Sequence, residues 1–183
     1  MSLTSGAGSL AERFSPYTDA MRIWIAAIGS RPRAAFDDLA RMYLERIGPL
    51  LPGGAGKGAV EAPLFKTEDT LWGAVERERT RAASPVLVLL DERGRQMGSD
   101  AFAAWLGRER DEGRWIIFAV GPPDGWSRNE AGAIGHESSR NAMLLSLGAM
   151  TLPHELARVV ICEQIYRALT ILKGHPYHRA GSR

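Results

Sequence analysis

Cysteine is almost absent from this chain: Cys162 stands alone among 183 residues. A single thiol builds neither an internal disulfide framework nor a zinc cluster, and this usage fits a reducing compartment, so a cytoplasmic location is expected. Long hydrophobic runs are missing as well. No stretch of 18 or more apolar residues occurs, which excludes a membrane-spanning helix of ordinary length. Lysine is scarce too, with only Lys57, Lys66 and Lys173, so arginine carries nearly all the positive charge of a chain whose net charge is just +2. Guanidinium forks bind phosphate bidentately and stack on bases, which suits an RNA partner. A GC-rich genome would produce the same bias, and composition does not separate the two.

Two nucleotide-binding signatures are also lacking. The pattern G-x-G-x-x-G follows no strand, which removes an ordinary dinucleotide fold. "PGGAGKGAV" resembles a phosphate loop only in part: the pattern needs glycine where Leu51 stands and a hydroxyl where Gly58 stands, and a strand follows instead of a helix. It reads as a basic surface loop. The first 20 residues, "MSLTSGAGSLAERFSPYTDA", have neither the basic start nor the apolar stretch of a signal peptide. They are expected to be a disordered extension ahead of one domain, 21–183, with Met21 as a natural start.

What is present is alternation. With 45% apolar residues the chain can bury one sizeable core. "MRIWIAAIGS" reads as a first buried strand, 33–47 as a helix, "GAVEAPLF" as a strand, 68–82 as a charged helix and "PVLVLL" as a buried strand. "SDAFAAWLGRERDEG" reads as a helix capped by Ser99 and stopped at Gly113, "WIIFAV" as another buried strand, 128–138 as a further helix and "MLLSL" as the last strand. Strands separated by helices imply an α/β fold, a mostly parallel sheet of five or six strands flanked by helices. In such sheets ligands sit beyond the carboxyl ends of the strands, where "VGPPDGWS" follows "WIIFAV". Gly121 and Gly125 would let backbone approach a ligand, while a plain tight turn is the other reading.

The last helix is predicted over 153–173, with Pro153 at its first position and Gly174 and Pro176 as stop signals. On a helical wheel Leu156, Val159, Val160 and Tyr166 fall on one side, and Ile161, Ile165 and Leu172 on the other. A helix apolar on both sides must be covered on both, one by the sheet and the other most simply by a second subunit. Glu163 and Arg167, four apart, form either a pair that orients this helix or part of a polar site. After the helix comes "GHPYHR", where two histidines, a tyrosine and an arginine crowd what is ordinarily a dispensable tail. His154 and Arg158 read as architectural or RNA-facing, and His136 and His175 carry no clear signal.

"LSLGAMTLPHELARVVICEQIYRALTILKGHPYHR", with the upstream "LLDERG" and "GPPDG", resembles the ribosomal large subunit methyltransferase H family of the SPOUT superfamily. The resemblance spans residues 21 to 179, and its "T-x-P-H-x-L-x-R" and "P-Y-H-R" motifs are specific. It implies a SPOUT-type α/β fold with a C-terminal trefoil knot, a homodimer, and S-adenosylmethionine as methyl donor. It also implies N3 methylation of a pseudouridine in 23S rRNA on assembled ribosomes. Carried over by motif, the donor would be held by Leu90, by Gly121, and by the loop Leu147, Gly148, Ala149, Met150, Thr151 and Leu152. One departure is Pro122, where the family has a second glycine, so a backbone N–H is lost there.

The chemistry asks for little beyond alignment of a nitrogen with a sulfonium methyl, because the donor is already activated and needs neither metal nor covalent intermediate. The N3 proton must leave, which a base or a donor to the developing oxyanion assists. Under the resemblance Tyr177 would stack the target base, Arg179 grip phosphate or developing charge, and His178 take or relay the proton. The structural alternative is that "PYHR" plugs a knot or an interface. Two other functions compete: a non-catalytic ribosome-binding or assembly protein, and a SPOUT methyltransferase acting on tRNA.

Overall fold

The computed structural model describes residues 21–29, 33–52, 58–79, 85–127 and 141–174. The expectations for residues 1–20, for 53–57 of the glycine-rich loop and for a helix over 128–138 lie outside them. In chain order the elements are β1 (Arg22–Ile28), α1 (Ala34–Ile47), a single 3-10 turn (Gly48–Leu50), β2 (Val60–Glu61), β3 (Leu64–Phe65) and α2 (Glu68–Arg79). Then follow β4 (Val86–Gln96), α3 (Ser99–Asp111), β5 (Trp115–Val120), β6 (Ala142–Ser146) and α4 (His154–Leu172). The six strands form one sheet in the order β2-β1-β5-β4-β6, with β3 also on β1. All pairings among the described residues are parallel.

Continuous apolar runs form these strands because both faces of the sheet are covered. Side chains alternate between two cores, as the period of a strand requires. Ile23, Ile25, Ile116, Phe118, Val86 and Val88 point into the core under α1, α3 and α4. Trp24, Ile28, Trp115, Ile117 and Leu89 point into the smaller core with Leu71 and Val75 of α2. A fully buried isoleucine or phenylalanine of this kind contributes about 1.5–3 kcal/mol.

Several boundaries differ from the sequence expectation for local reasons. "GAVEAPLF" forms two short strands instead of one, because Pro63 has no N–H to give to a ladder. Its carbonyl still accepts from the Ala27 N–H at 3.1 Å, so the segment stays against β1. Helix α3 is preceded by Gly98 in extended conformation, so Gly98 and not Ser99 is the N-cap, and Ser99 is the first helical residue. Gly113 ends it as expected, with φ +63°. Pro153 likewise caps α4 from outside, one residue before the helix begins.

Helix α4 is covered unequally on its two apolar sides. Ile161 and Ile165 are fully buried in this chain's own core. Leu172, on the same side, lies 2.9 Å from where a β-carbon would stand on Gly107 of α3. On the other side Val159 is buried and Tyr166 packs on Tyr43 of α1 with ring centroids 6.0 Å apart, so that side is covered in part within the chain. Arg158, only 5% exposed, donates from Nη1 to Asp37 Oδ1 of α1 at 3.1 Å. That contact makes Arg158 architectural. Cys162 is buried in the same layer, and burial pushes its thiol up to about 12, so it is neither nucleophile nor ligand at neutral pH. Among the half-exposed residues of α4, Leu156, Val160, Glu163, Arg167 and Ile171 form one arc.

At the end of β4 the sheet register jumps: Leu90 and Arg95 both stand opposite Leu145 of β6. The four residues between them, Asp91 to Gly94, bulge out of the ladder. A β-carbon on Gly94 would lie 2.7 Å from backbone atoms of Leu144 and Leu145, so two main chains pass at a distance that only glycine allows. Gly94→Ala is expected to destabilise the protein by ~3 kcal/mol, the top of the overpacking range, since backbone cannot step aside. Gly98→Ala, with nothing within 4 Å of the added carbon, should cost no more than about 1 kcal/mol, the scale of a weakened N-cap. Urea unfolding of the two variants beside the parent checks the difference.

Candidate functional site

Because the strands are parallel, β4, β5 and β6 deliver their carboxyl ends to one edge of the sheet. Between those ends lies a cleft of about 550 Å³, walled by the Leu90–Arg93 segment, the loop Gly121–Trp126 and the loop Leu147–Leu152, with His154 and Ala157 of α4 at its base. That volume suits a nucleoside-sized ligand.

The first wall is the bulge of β4, and Asp91 builds it. Its Oδ1 accepts from the Arg93 backbone N–H at 2.9 Å and from Nε at 2.8 Å, while Oδ2 accepts from Nη2 at 2.8 Å. The side chain of Asp91 is 7% exposed, and hydrogen bonding from Arg93 holds its carboxyl below the ordinary range. Glu92, at the apex, accepts a hydrogen bond from the Thr151 hydroxyl at 2.8 Å, joining the first wall to the third.

The second wall is a turn closed by the Gly125 N–H donating to the Pro122 carbonyl at 2.9 Å, with Gly125 at φ +80°. Pro122 therefore lacks an N–H and also commits its carbonyl to the turn, so less of its backbone is open to a ligand than the sequence implied. Behind the turn Trp126 is buried, and its indole N–H donates to the Leu90 carbonyl at 3.0 Å. In the third wall the Ser146 hydroxyl donates to the Gly148 carbonyl at 2.8 Å and accepts from its N–H at 3.3 Å, which fixes the exit from β6. Gly148 has φ +155°, and Met150, at 80% exposure, overhangs the cleft.

The residues expected to hold a cofactor thus come together. Leu90, Gly121, Leu147, Gly148, Met150, Thr151 and Leu152 all line the cleft, and Ala149 lies exposed within the same loop. Glu163 and Arg167 do not line it. They pair along α4 at 2.6 Å on the half-exposed arc, beside Val160 and Gln164. Those two neighbours line a second cavity of about 220 Å³ that shares the Leu145–Gly148 wall with the cleft. Tyr177, His178 and Arg179 lie outside the described residues. Sequence reasoning missed His154, Asp91, Glu92 and Trp126 as wall residues. "LLDERG" and "PPDGWS" held three of them in view, but their use depends on a bulge and a cross-loop contact that no periodicity encodes.

A family model described as "Predicted SPOUT methyltransferase" matches residues 21–178, so this chain belongs to the SPOUT methyltransferases. Within that class it sits with the ribosomal RNA large subunit methyltransferase H family. It is 42% identical over 160 residues to the Koribacter versatilis protein of that name, covering 86% of this chain and 98% of that one. It is 39% identical over 180 residues to the Brucella ovis protein, covering 87% and 100%. Among solved structures, the SpoU methyltransferase AviRb from Streptomyces viridochromogenes in complex with the cofactor AdoMet aligns over 87% of this chain and 59% of that one, with 16% identity and a TM-score of 0.42.

The Asp91 contacts set a pH dependence. A carboxyl whose folded pKa lies below the ordinary 3.8 contributes stability that is complete above that value and is lost as pH falls through the lower, folded pKa. Asp91→Asn should therefore unfold at lower urea than the parent at neutral pH, with the gap between them closing only below about pH 4.

Proposed function

We propose that this protein is an S-adenosylmethionine-dependent methyltransferase of 23S rRNA, acting on N3 of a pseudouridine in assembled ribosomes. The observation that carries the reading is the cleft at the ends of β4, β5 and β6, where Leu90, Gly121 and the loop 147–152 converge in a chain belonging to the methyltransferase H family. The residues present fit the donor. Gly148 opens onto free space where a β-carbon would meet nothing within 4 Å, and Met150, Thr151 and Leu152 of the loop after it line the cleft.

When bound, S-adenosylmethionine supplies an electrophilic methyl: the N3 lone pair forms the new C–N bond, the C–S bond breaks, and its electron pair stays on sulfur. The work left to the protein is alignment and disposal of the N3 proton. In this reading the backbone of 147–152 and the Leu90 segment orient the donor. Tyr177 stacks the target base, Arg179 holds phosphate or developing charge, and His178 relays the proton. Residues 21–183 act as one domain, two copies meeting through the half-exposed arc of α4, with Glu163 and Arg167 at the edge of the target site. The C-terminal trefoil knot that the family resemblance implies belongs to the same reading.

Labelled S-adenosylmethionine, purified protein and ribosomes lacking the modification provide the test. Label mapped to one pseudouridine of 23S rRNA is the expected result. Ribosome binding without transfer would instead identify an assembly protein, and labelling of tRNA a different target. Truncation after Lys173 should abolish transfer while most donor affinity remains, and Tyr177→Ala should weaken substrate binding by about 1–3 kcal/mol, the usual loss for an aromatic platform. Val160→Glu places a charge on the half-exposed arc and should shift the protein toward monomer in sedimentation, whereas Ile165→Glu, inside the core, should unfold the chain.

A further inference from the structure

We infer that Trp126 is a positioning residue that sets the width of the donor cleft, an inference that rests on the methyltransferase reading above. The pairing of β4 with β5 ends at Leu90 and Val120. Beyond that point β4 departs into its bulge and β5 into the Gly121 loop, so no ladder bond holds the two walls at a fixed separation. The indole of Trp126 restores the link. Its Nε1–H donates to the Leu90 carbonyl at 3.0 Å, and atoms of the same ring lie 3.0 Å from where a β-carbon of Gly121 would stand. One side chain thus touches both residues to which the walls' donor contacts are assigned.

The ring is itself held. Trp126 is 6% exposed and packs against Trp72 of α2, with centroids 6.0 Å apart and planes tilted by 36°. The next residue is tied to the same helix, since the Ser127 N–H donates to Glu68 Oε1 at 3.1 Å. A rigid ring anchored on α2 therefore fixes where Gly121 and the Leu90 carbonyl sit before any ligand arrives, which lowers the ordering cost of binding. This also changes the reason for glycine at 121. A β-carbon there would crowd the indole, which would have to give by a few tenths of an ångström, so Gly121 leaves room for the clamp as much as for a ligand.

The test uses full-length protein and methyl transfer to unmodified ribosomes, with KM for S-adenosylmethionine, kcat and the thermal midpoint read for each variant. Trp126→Phe keeps an aromatic ring and removes the N–H. The expected result is a KM raised about five- to tenfold, the loss typical of a buried hydrogen bond, with kcat within about twofold because the contact serves bound donor and transition state alike. Trp115→Phe is the control: Trp115 belongs to the same smaller core but packs on Trp24, its indole nitrogen has no partner among the described residues, and it does not line the cleft. It should leave KM unchanged. Gly121→Ala, which pushes the ring from the other side, should raise KM as Trp126→Phe does and stands in should that variant fold poorly. An unchanged KM in Trp126→Phe overturns the inference. So does a KM that rises in both tryptophan variants in step with a lower thermal midpoint, since that marks packing alone. Calorimetry of the parent with S-adenosylmethionine separates the two levels: absence of binding there removes the methyltransferase reading and this inference together, whereas binding with unchanged variants removes only the inference.

Discussion

Two stretches of main chain pass each other at Gly94 with no room for a side chain, and the functional edge of the molecule depends on that contact. Where β4 would otherwise continue along β6, the register skips so that Leu90 and Arg95 both face Leu145. The four displaced residues become a wall of the cleft. Asp91 stabilises their turn by accepting three hydrogen bonds from Arg93, and Glu92 reaches the Thr151 hydroxyl on the opposite wall. A regular ladder at this place would leave no bulge and hence no first wall.

The two cores share the remaining work unequally. The larger one, under α1, α3 and α4, holds the last helix so tightly that one turn of it carries a buried arginine, Arg158, bonded to Asp37. Desolvating that guanidinium is costly, and the pair is better understood as fixing the angle between α4 and α1 than as a source of stability. The smaller core, with α2, is built around tryptophans: Trp24 and Trp115 meet edge to face at 5.1 Å. This aromatic layer supports the loop after β5 from behind.

Legibility in the sequence followed locality. β1, β5 and the body of β4 were readable because a fully buried strand is a continuous apolar run with fixed punctuation, and α4 because its length and its stop at Gly174 are local signals. Of the loops around the cleft, the one after β5 was readable from its place at the carboxyl end of a parallel strand, and the others only through motif resemblance. Pro63 splitting a strand and Gly98 taking the cap from Ser99 are local effects that periodicity does not encode, whereas the packing of Tyr166 on α1 and of Leu172 on α3 depends on distant segments. Ile165 shows the limit most plainly: the wheel placed it correctly on an apolar side, yet nothing in the spacing could say that its partner was this chain's own core. The walls supplied by Asp91 and Trp126 were hidden for the same reason, since one works through a register jump and the other through a carbonyl 36 residues away.

Synthesis order gives the all-parallel sheet a further consequence. Neighbouring strands in such a sheet cannot be joined by a tight hairpin, so each pairing waits for a crossover segment to be made. The backbone that packs on Gly94 belongs to Leu144 and Leu145, some fifty residues further along. While a nascent chain is still shorter than that, β4 has an open edge and the bulge has nothing to lean on. Contacts of such long separation make for slow, late closure. The edge that holds the cleft is thus assembled last, when the final quarter of the chain has emerged, and a growing polypeptide carries unpaired strand edge until then.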